Sequence, residues 1–216
     1  MFRGRTGTPA GRDERTRGGV VADLTAQTGV DAVVACATDA FGDVDILINN
    51  AGMTAVSDSA ASLNRGGGFL GHWHASLDRN LTTTFLMTRA VAGPMESSGY
   101  GRIVNVSSVS GPVAAYPGDT AYHAAKAGIV GLTRSMAIDL AAAGVTVNAV
   151  APGWIDTASA SERERRMGKA APVGRSGTAA EVAYVIAFLA GEGASYISGQ
   201  LITIDGANSI AEERGR

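Results

Sequence analysis

The chain is 216 residues long, and its 18 basic and 20 acidic side chains leave a formal charge of −2. That is about one domain of sequence, with no electrostatic footprint for nucleic acid or an anionic membrane surface. Hydrophobic residues make up 45% of it, yet no apolar run approaches the roughly 20 residues of a membrane span and the N-terminus has no signal-like apolar stretch, which points to a globular cytoplasmic protein.

Residues 1–216 are expected to form a single α/β domain. From about residue 20 onward, short β-branched runs alternate with longer amphipathic stretches, the pattern of βαβ units on a parallel sheet. Strands are expected at 20–22, 45–49, 102–106, 145–150 and 201–204, each apolar enough for burial on both faces. Helices are expected at 25–41, 77–95, 120–143 and 178–189. The last opens with a capping box: the Thr178 hydroxyl accepts from the backbone N–H of Glu181, whose carboxylate reaches back. Gly144 and Gly191 suit helix stops. Residues 53–73 and 152–177 break the alternation where strands hand over to loops, at rims where recognition concentrates. The first is expected as a surface loop. The charged run Ser161-Glu-Arg-Glu-Arg-Arg166 in the second is expected as a short solvated helix.

Sixteen of the 18 basic residues are arginines, so Lys126 and Lys169 stand out. In Tyr122-His-Ala-Ala-Lys126 a phenol and an ammonium lie four apart on one helical face. An ammonium beside a phenol favours phenolate and would bring a pKa near 10 toward neutrality. The bland alternative is an amphipathic tyrosine and a surface charge. Strand 102–106 runs into Ser107 and Ser108 at the carboxyl edge, where open α/β sheets place ligands. A hydroxyl there can hold a carbonyl oxygen while a phenol protonates it; a turn hydroxyl is the alternative. Asn49-Asn-Ala-Gly52 likewise ends a strand in amides and glycine, where backbone can approach a flat ligand. The single cysteine, Cys36, excludes an internal disulfide and a cysteine-based metal cluster. His72 and His74 have no carboxylate partner at ligand spacing, so no metal is expected. His123 is expected to point away from Tyr122.

Asn49-Asn-Ala-Gly52, Asn80, Ser108, Tyr122-x-x-x-Lys126 and Val147-Asn-Ala-Val-Ala-Pro-Gly153 follow the order and spacing of short-chain dehydrogenase/reductases, and from about residue 20 to 205 the chain resembles that family. Gly174-Arg-Ser-Gly-Thr178, Ala194 to Gln200 and Ile204-Asp-Gly206 resemble its bacterial 3-oxoacyl-carrier-protein reductase branch. The resemblance implies a Rossmann-like, doubly wound parallel sheet in three α/β/α layers. It implies hydride transfer between NADP or NAD and a small carbonyl or secondary alcohol. It further implies Tyr122 as general acid/base, Lys126 as the group that lowers its pKa and binds the nicotinamide ribose, Ser108 as the orienter of the substrate oxygen, and Asn80 as the holder of a proton-relaying water. On the cofactor it implies Asp23 at the adenine, Asn49, Ala51 and Gly52 along the adenosine, and Pro152, Gly153, Ile155 and Thr157 at the carboxamide. A homo-oligomer, dimer or tetramer, is implied as well. Asn80 as a helix interruption, Asp23 as a helix cap and Thr157 as a loop hydroxyl remain open alternatives.

Family members open with a strand and Thr-Gly-x-x-x-Gly-x-Gly at a helix start, where backbone amides receive the pyrophosphate. Here Thr6-Gly-Thr-Pro-Ala-Gly11-Arg-Asp13 imitates that motif only partly, and the nine residues between Asp13 and Asp23 leave no room for the helix, strand and helix that should follow. Most of the first βαβ unit is therefore expected to be missing, with Gly11-Arg-Asp-Glu14 echoing the end of the family's second strand. A second function follows from that gap: a catalytically impaired, binding or oligomer-forming subunit.

Overall fold

The computed structural model describes residues 19–52 and 69–212. In chain order these form α1 (Gln27–Phe41), β1 (Ile46–Asn49), α2 (Phe69–Leu77), a π-helical turn (Asp78–Thr82), α3 (Thr83–Ser98), β2 (Gly101–Val106), α4 (Thr120–Leu140), β3 (Val145–Pro152), β4 (Ile155–Asp156), α5 (Glu162–Lys169), β5 (Gly177–Thr178), α6 (Ala179–Ala190) and β6 (Leu201–Ile204). Strands β1, β2, β3 and β6 lie side by side in that order, all parallel, while β4 and β5 form a separate short parallel pair. The chain has the expected α/β, Rossmann-like fold, a parallel sheet wound with helices.

Side-chain alternation along the central strands sets the layers. Ile103 and Val147 pack on one face with Val30 of α1, Met87, Val91 and Met95 of α3, and Ala137 and Leu140 of α4. Val104 and Val150 point the other way, onto Val182 and Leu189 of α6. Burial on both faces is why β2 and β3 read as continuous apolar runs. The capping box of α6 forms as expected, with Glu181 N–H donating to Thr178 Oγ1 at 3.2 Å and Thr178 N–H donating to Glu181 Oε2 at 2.7 Å. Gly144 closes the turn after α4 at φ 75°, a left-handed conformation that costs glycine little. The charged run 161–166 forms the first part of α5, whose own capping box joins Ser161 and Glu164. No helix among the described residues is long and apolar enough to cross a membrane.

Three expectations need correction. Residues 20–22 form no strand: Val21 is wholly exposed, and β propensity without a neighbouring ladder does not make a strand. Burial on both faces fails at the two edge strands: in β1 Leu47 is 8% exposed but Ile46 is 46% and Ile48 37% exposed, and in β6 no residue is buried; α6 packs over β2 and β3 and leaves one side of β1 open to a cleft. The helix expected from residue 77 begins at Phe69, so residues 69–73 are helical rather than loop, and the π-helical turn interrupts it at Asp78–Thr82. The rest of that expected loop, 53–68, and the glycine-containing stretch 6–14 lie outside the described residues.

Candidate active site

The carboxyl ends of β2 and β3 and the first turns of α4 enclose a cleft of about 1240 Å³ that contains Ser108, Tyr122, Lys126, Pro152, Gly153, Ile155 and Thr157. Two hydrogen bonds fasten the end of β2 to α4. The Lys126 Nζ donates to the Val106 carbonyl at 2.9 Å, and the Ser107 Oγ donates to the Lys126 carbonyl at 2.8 Å. Ser107 is thereby a structural hydroxyl, and Ser108 is the one left facing the cleft. Its Oγ accepts from the Ser110 N–H at 3.0 Å and hydrogen-bonds toward the Tyr122 phenol.

Tyr122 and Lys126 share one face of α4 as their spacing requires, with the Nζ 5.7 Å from the phenol ring centroid and both side chains 6% exposed. The expected acidification of the phenol does not follow. Burial pushes the Tyr122 pKa up, the Ser108 hydrogen bond draws it partly back, and the Asp119 and Glu164 carboxylates push it up further. Burial also lowers the Lys126 ammonium to about 8. At this separation, loss of solvation outweighs the attraction that the spacing alone suggested.

Asn80 lies in the π-helical turn, 1% exposed, with its Nδ2 donating to the Ser76 carbonyl at 3.0 Å. The extra residue of that turn is local to Asn80, as such bulges often are at functional positions. Gly52 faces it: a Cβ on Gly52 would stand 2.8 Å from Asn80 Oδ1 and 3.5 Å from Lys126 Nζ. The end of β1, the π-helical turn and α4 thus converge on one small volume. Asn49 does not join them. Its Nδ2 donates to Thr88 Oγ1 at 3.0 Å and to Asn105 Oδ1 at 2.9 Å, tying β1 to α3 and β2, while its neighbours Asn50 and Gly52 form the cleft wall. Ala51 is exposed and off that wall. Asp23 is exposed too. Its Oδ1 accepts from the backbone N–H and the hydroxyl of Thr25 at 3.0 and 2.7 Å, bonds that lower its pKa and close a turn ahead of α1.

The opposite wall comes from the segment after β3. Gly153 N–H donates to the Ile204 carbonyl at 2.9 Å, and a Cβ there would meet the Asp205 Cβ at 2.6 Å, so the chain can hug β6 only as glycine. Thr157 Oγ1 lies 3.2 Å from Ser159 Oγ. Sequence reasoning passed over Trp154, Tyr116, Arg163 and Glu164, which also line the cleft. For Trp154, Arg163 and Glu164 the only sequence signal was the composition of the rim segment, and Tyr116, outside it, had none. His123 is displaced from Tyr122 as expected, its ring edge-on to Tyr116 at 4.5 Å and 6.2 Å from the Tyr122 ring.

A parallel sheet with a serine, a tyrosine and a lysine gathered at its carboxyl edge defines a Rossmann-like α/β protein with a polar cleft at the usual ligand edge. Residues 8–207 match a family model described as enoyl-(acyl carrier protein) reductase. The chain is 40% identical over 192 residues to the 3-oxoacyl-acyl-carrier-protein reductase FabG of Vibrio cholerae, covering 87% of this chain and 76% of that protein. It is 39% identical over 196 residues to a hydroxy(phenyl)methylsuccinyl-CoA dehydrogenase subunit, BbsD, of Thauera aromatica, covering 89% and 76%. The crystal structure of levodione reductase matches with a TM-score of 0.78 at 32% identity, over 89% of this chain and 77% of that one. The chain belongs to the short-chain dehydrogenase/reductase family and is an oxidoreductase of it.

Proposed function

We propose that this oxidoreductase exchanges a hydride between NADP or NAD and a small carbonyl compound or secondary alcohol, with Tyr122 as general acid and base. The observation that carries this reading is the convergence of Ser108, Tyr122 and Lys126 in one cleft at the end of β2. A phenol whose pKa burial holds above the ordinary value keeps its proton at neutral pH, the state an acid needs when a carbonyl is reduced. The Ser108 hydroxyl, adjacent to that phenol, supplies the second donor for a developing alkoxide. In the oxidative direction the same phenol must first lose its proton, and the Lys126 ammonium is the nearby positive charge that favours the loss.

The described residues fit the nicotinamide end of such a cofactor. Gly52 lets the backbone pass close to Asn80 Oδ1 and Lys126 Nζ, where even a β-carbon would crowd at 2.8 Å, and those two polar groups are suited to ribose hydroxyls. Pro152, Gly153, Ile155 and Thr157 offer backbone and hydroxyl partners for a carboxamide. When bound, the cofactor would supply or accept the hydride, chemistry no side chain performs. Asp23, Asn49 and Ala51 remain assigned to the adenosine side through their position before or at the end of β1. A dimer or tetramer is part of the proposal: Phe85 on α3, Ile138 on α4, and Tyr184 and Phe188 on α6 are 40%, 79%, 74% and 54% exposed, more apolar surface than a solitary subunit usually leaves wet.

Titration of NADPH and NADH fluorescence with the full chain, followed by steady-state carbonyl reduction, tests the reading. Saturable binding with turnover that Tyr122→Phe abolishes is expected. Absence of binding at millimolar cofactor would replace it with a non-catalytic subunit.

A further inference from the structure

We propose that Arg163 is a specificity-determining residue that recognises an oxyanion, so that the substrate is a carbonyl compound bearing a carboxylate or phosphate. The inference rests on the hydride-transfer reading for where the carbonyl sits, and on separate observations for the charge.

The cleft-facing stripe along the start of α5 is Ala160, Arg163, Glu164 and Met167, spaced as one helical face. Its two charges are not equally available. Glu164 Oε2 already accepts from the Ser161 backbone N–H at 2.7 Å and from the Ser161 hydroxyl at 2.8 Å, closing the capping box. Arg165, on the other side of the helix, is paired with Asp156 at 3.3 Å. Arg163 makes no hydrogen bond or ion pair with the described residues; its guanidinium carbon lies 5.6 Å from the centroid of the Tyr116 ring. A guanidinium over an aromatic face is held by that face while its N–H edges stay free to donate.

The platform beneath it is itself fixed. The Tyr116 hydroxyl donates to Asp119 Oδ2 at 3.2 Å, and the His123 ring meets Tyr116 edge-on at 4.5 Å. The same cleft presents apolar Val109, Ala114, Ala115 and Trp154 beside the hydroxyls of Ser108 and Ser110, and Arg163 reaches it from an exposed position. An unspent planar fork of donors in such surroundings matches the two-pronged geometry of a carboxylate or phosphate far better than that of a neutral or cationic group. It would hold the far end of a substrate whose carbonyl lies at Ser108 and Tyr122, on the same cleft.

The test compares kcat/KM for acetoacetate with methyl acetoacetate, levulinate with methyl levulinate, dihydroxyacetone phosphate with dihydroxyacetone, and includes aminoacetone as a cationic ketone. Binding of levulinate and of methyl levulinate is measured in parallel by calorimetry. In the wild-type chain the anionic member of at least one pair is favoured about 5- to 10-fold, the range for a charged hydrogen bond near a surface, and the carboxylate and phosphate pairs tell the two oxyanions apart. Arg163→Gln brings that ratio toward one, Arg163→Lys keeps part of it, and added salt raises KM for the anion alone. Equal ratios in the wild type, or a ratio that Arg163→Gln leaves intact, overturn the inference, and a preference for aminoacetone assigns recognition to Glu164 and overturns it too. Arg163-dependent levulinate binding without any turnover would sink the hydride-transfer reading and leave this one standing. Turnover with no charge preference would do the reverse.

Discussion

Gly52 and Asn80 are in contact through an absence: the nearest heavy atom to a β-carbon built on Gly52 is the Asn80 Oδ1, at 2.8 Å. Asn80 cannot retreat easily, being 1% exposed and held by its bond to the Ser76 carbonyl. Gly52→Ala is therefore expected to displace the carboxamide, costing about 1–3 kcal/mol of stability as an overpacked site does, and lowering kcat/KM by about tenfold or more through the shared neighbour Lys126. Urea unfolding alongside steady-state kinetics checks both. Unchanged stability and turnover would mean that Asn80 is not fixed where the hydrogen bond puts it.

Tyr122→Phe removes the phenolic oxygen and keeps the ring that packs within α4. Turnover should fall by about 100- to 10,000-fold, the usual contribution of a positioned acid or base, while NADPH binding followed by fluorescence stays near wild type. Lys126→Met should weaken both, since it removes a charge from the proton donor's surroundings and a donor from the ribose site. A Phe variant that still turns over would refute the assignment of the acid.

How much of this could be read from the chain differs element by element. Strands β2 and β3 were legible because both faces are buried, which leaves a run of apolar residues that only a central strand explains. Tyr122 and Lys126 were legible because four residues on a helix fix their relative direction without any tertiary knowledge. Residues 20–22 have the same β-branched composition and form no strand, since pairing depends on a neighbour that local composition does not report. The start of α2 was hidden by the glycines just before it, and the π-helical turn at Asp78–Thr82 follows from packing around Asn80, which no period reveals. The Tyr122 pKa was inferred with the wrong sign because spacing discloses the ammonium, whereas desolvation is a property of the assembled core. Arg163 went unremarked among the four other charges of its run, because only the fold shows that Glu164 and Arg165 are already engaged.

Lys126 should make stability rise with pH in the alkaline range. Its folded pKa is about 8 against an ordinary 10.5, so between those values the unfolded chain binds a proton that the folded one has released, and unfolding becomes harder as pH rises. The gain is on the order of 2–3 kcal/mol over that window, from about 1.4 kcal/mol per pH unit. Tyr122 acts in the opposite sense above pH 10: its raised pKa keeps the folded phenol protonated while the unfolded one ionises, so its contribution is lost there. Urea midpoints measured from neutral pH upward should climb beyond about 8 and turn over beyond about 10. In Lys126→Met the climb should vanish, and its persistence would show that another group is titrating.

Asn105, at 0% exposure on β2, ties the neighbouring strand β1 to α4 beneath the site. Its Oδ1 accepts from Asn49 Nδ2 at 2.9 Å, and its Nδ2 donates to Thr133 Oγ1 at 2.9 Å, whose hydroxyl passes its own proton to the Ile129 carbonyl at 2.7 Å. The chain of bonds runs from β1 through β2 into α4, one turn below Lys126. Asn105→Ala is expected to destabilise by about 2–4 kcal/mol, combining lost bonds with a buried gap, and to lower Tm by roughly 5–15 °C for a chain of this size. Asn49→Ala should cost less, because it strips only one end of the ladder. The decisive measurement is the double variant: groups sharing one bond should be non-additive by about 0.5–1.5 kcal/mol. Strict additivity would show that Asn49 and Asn105 act independently.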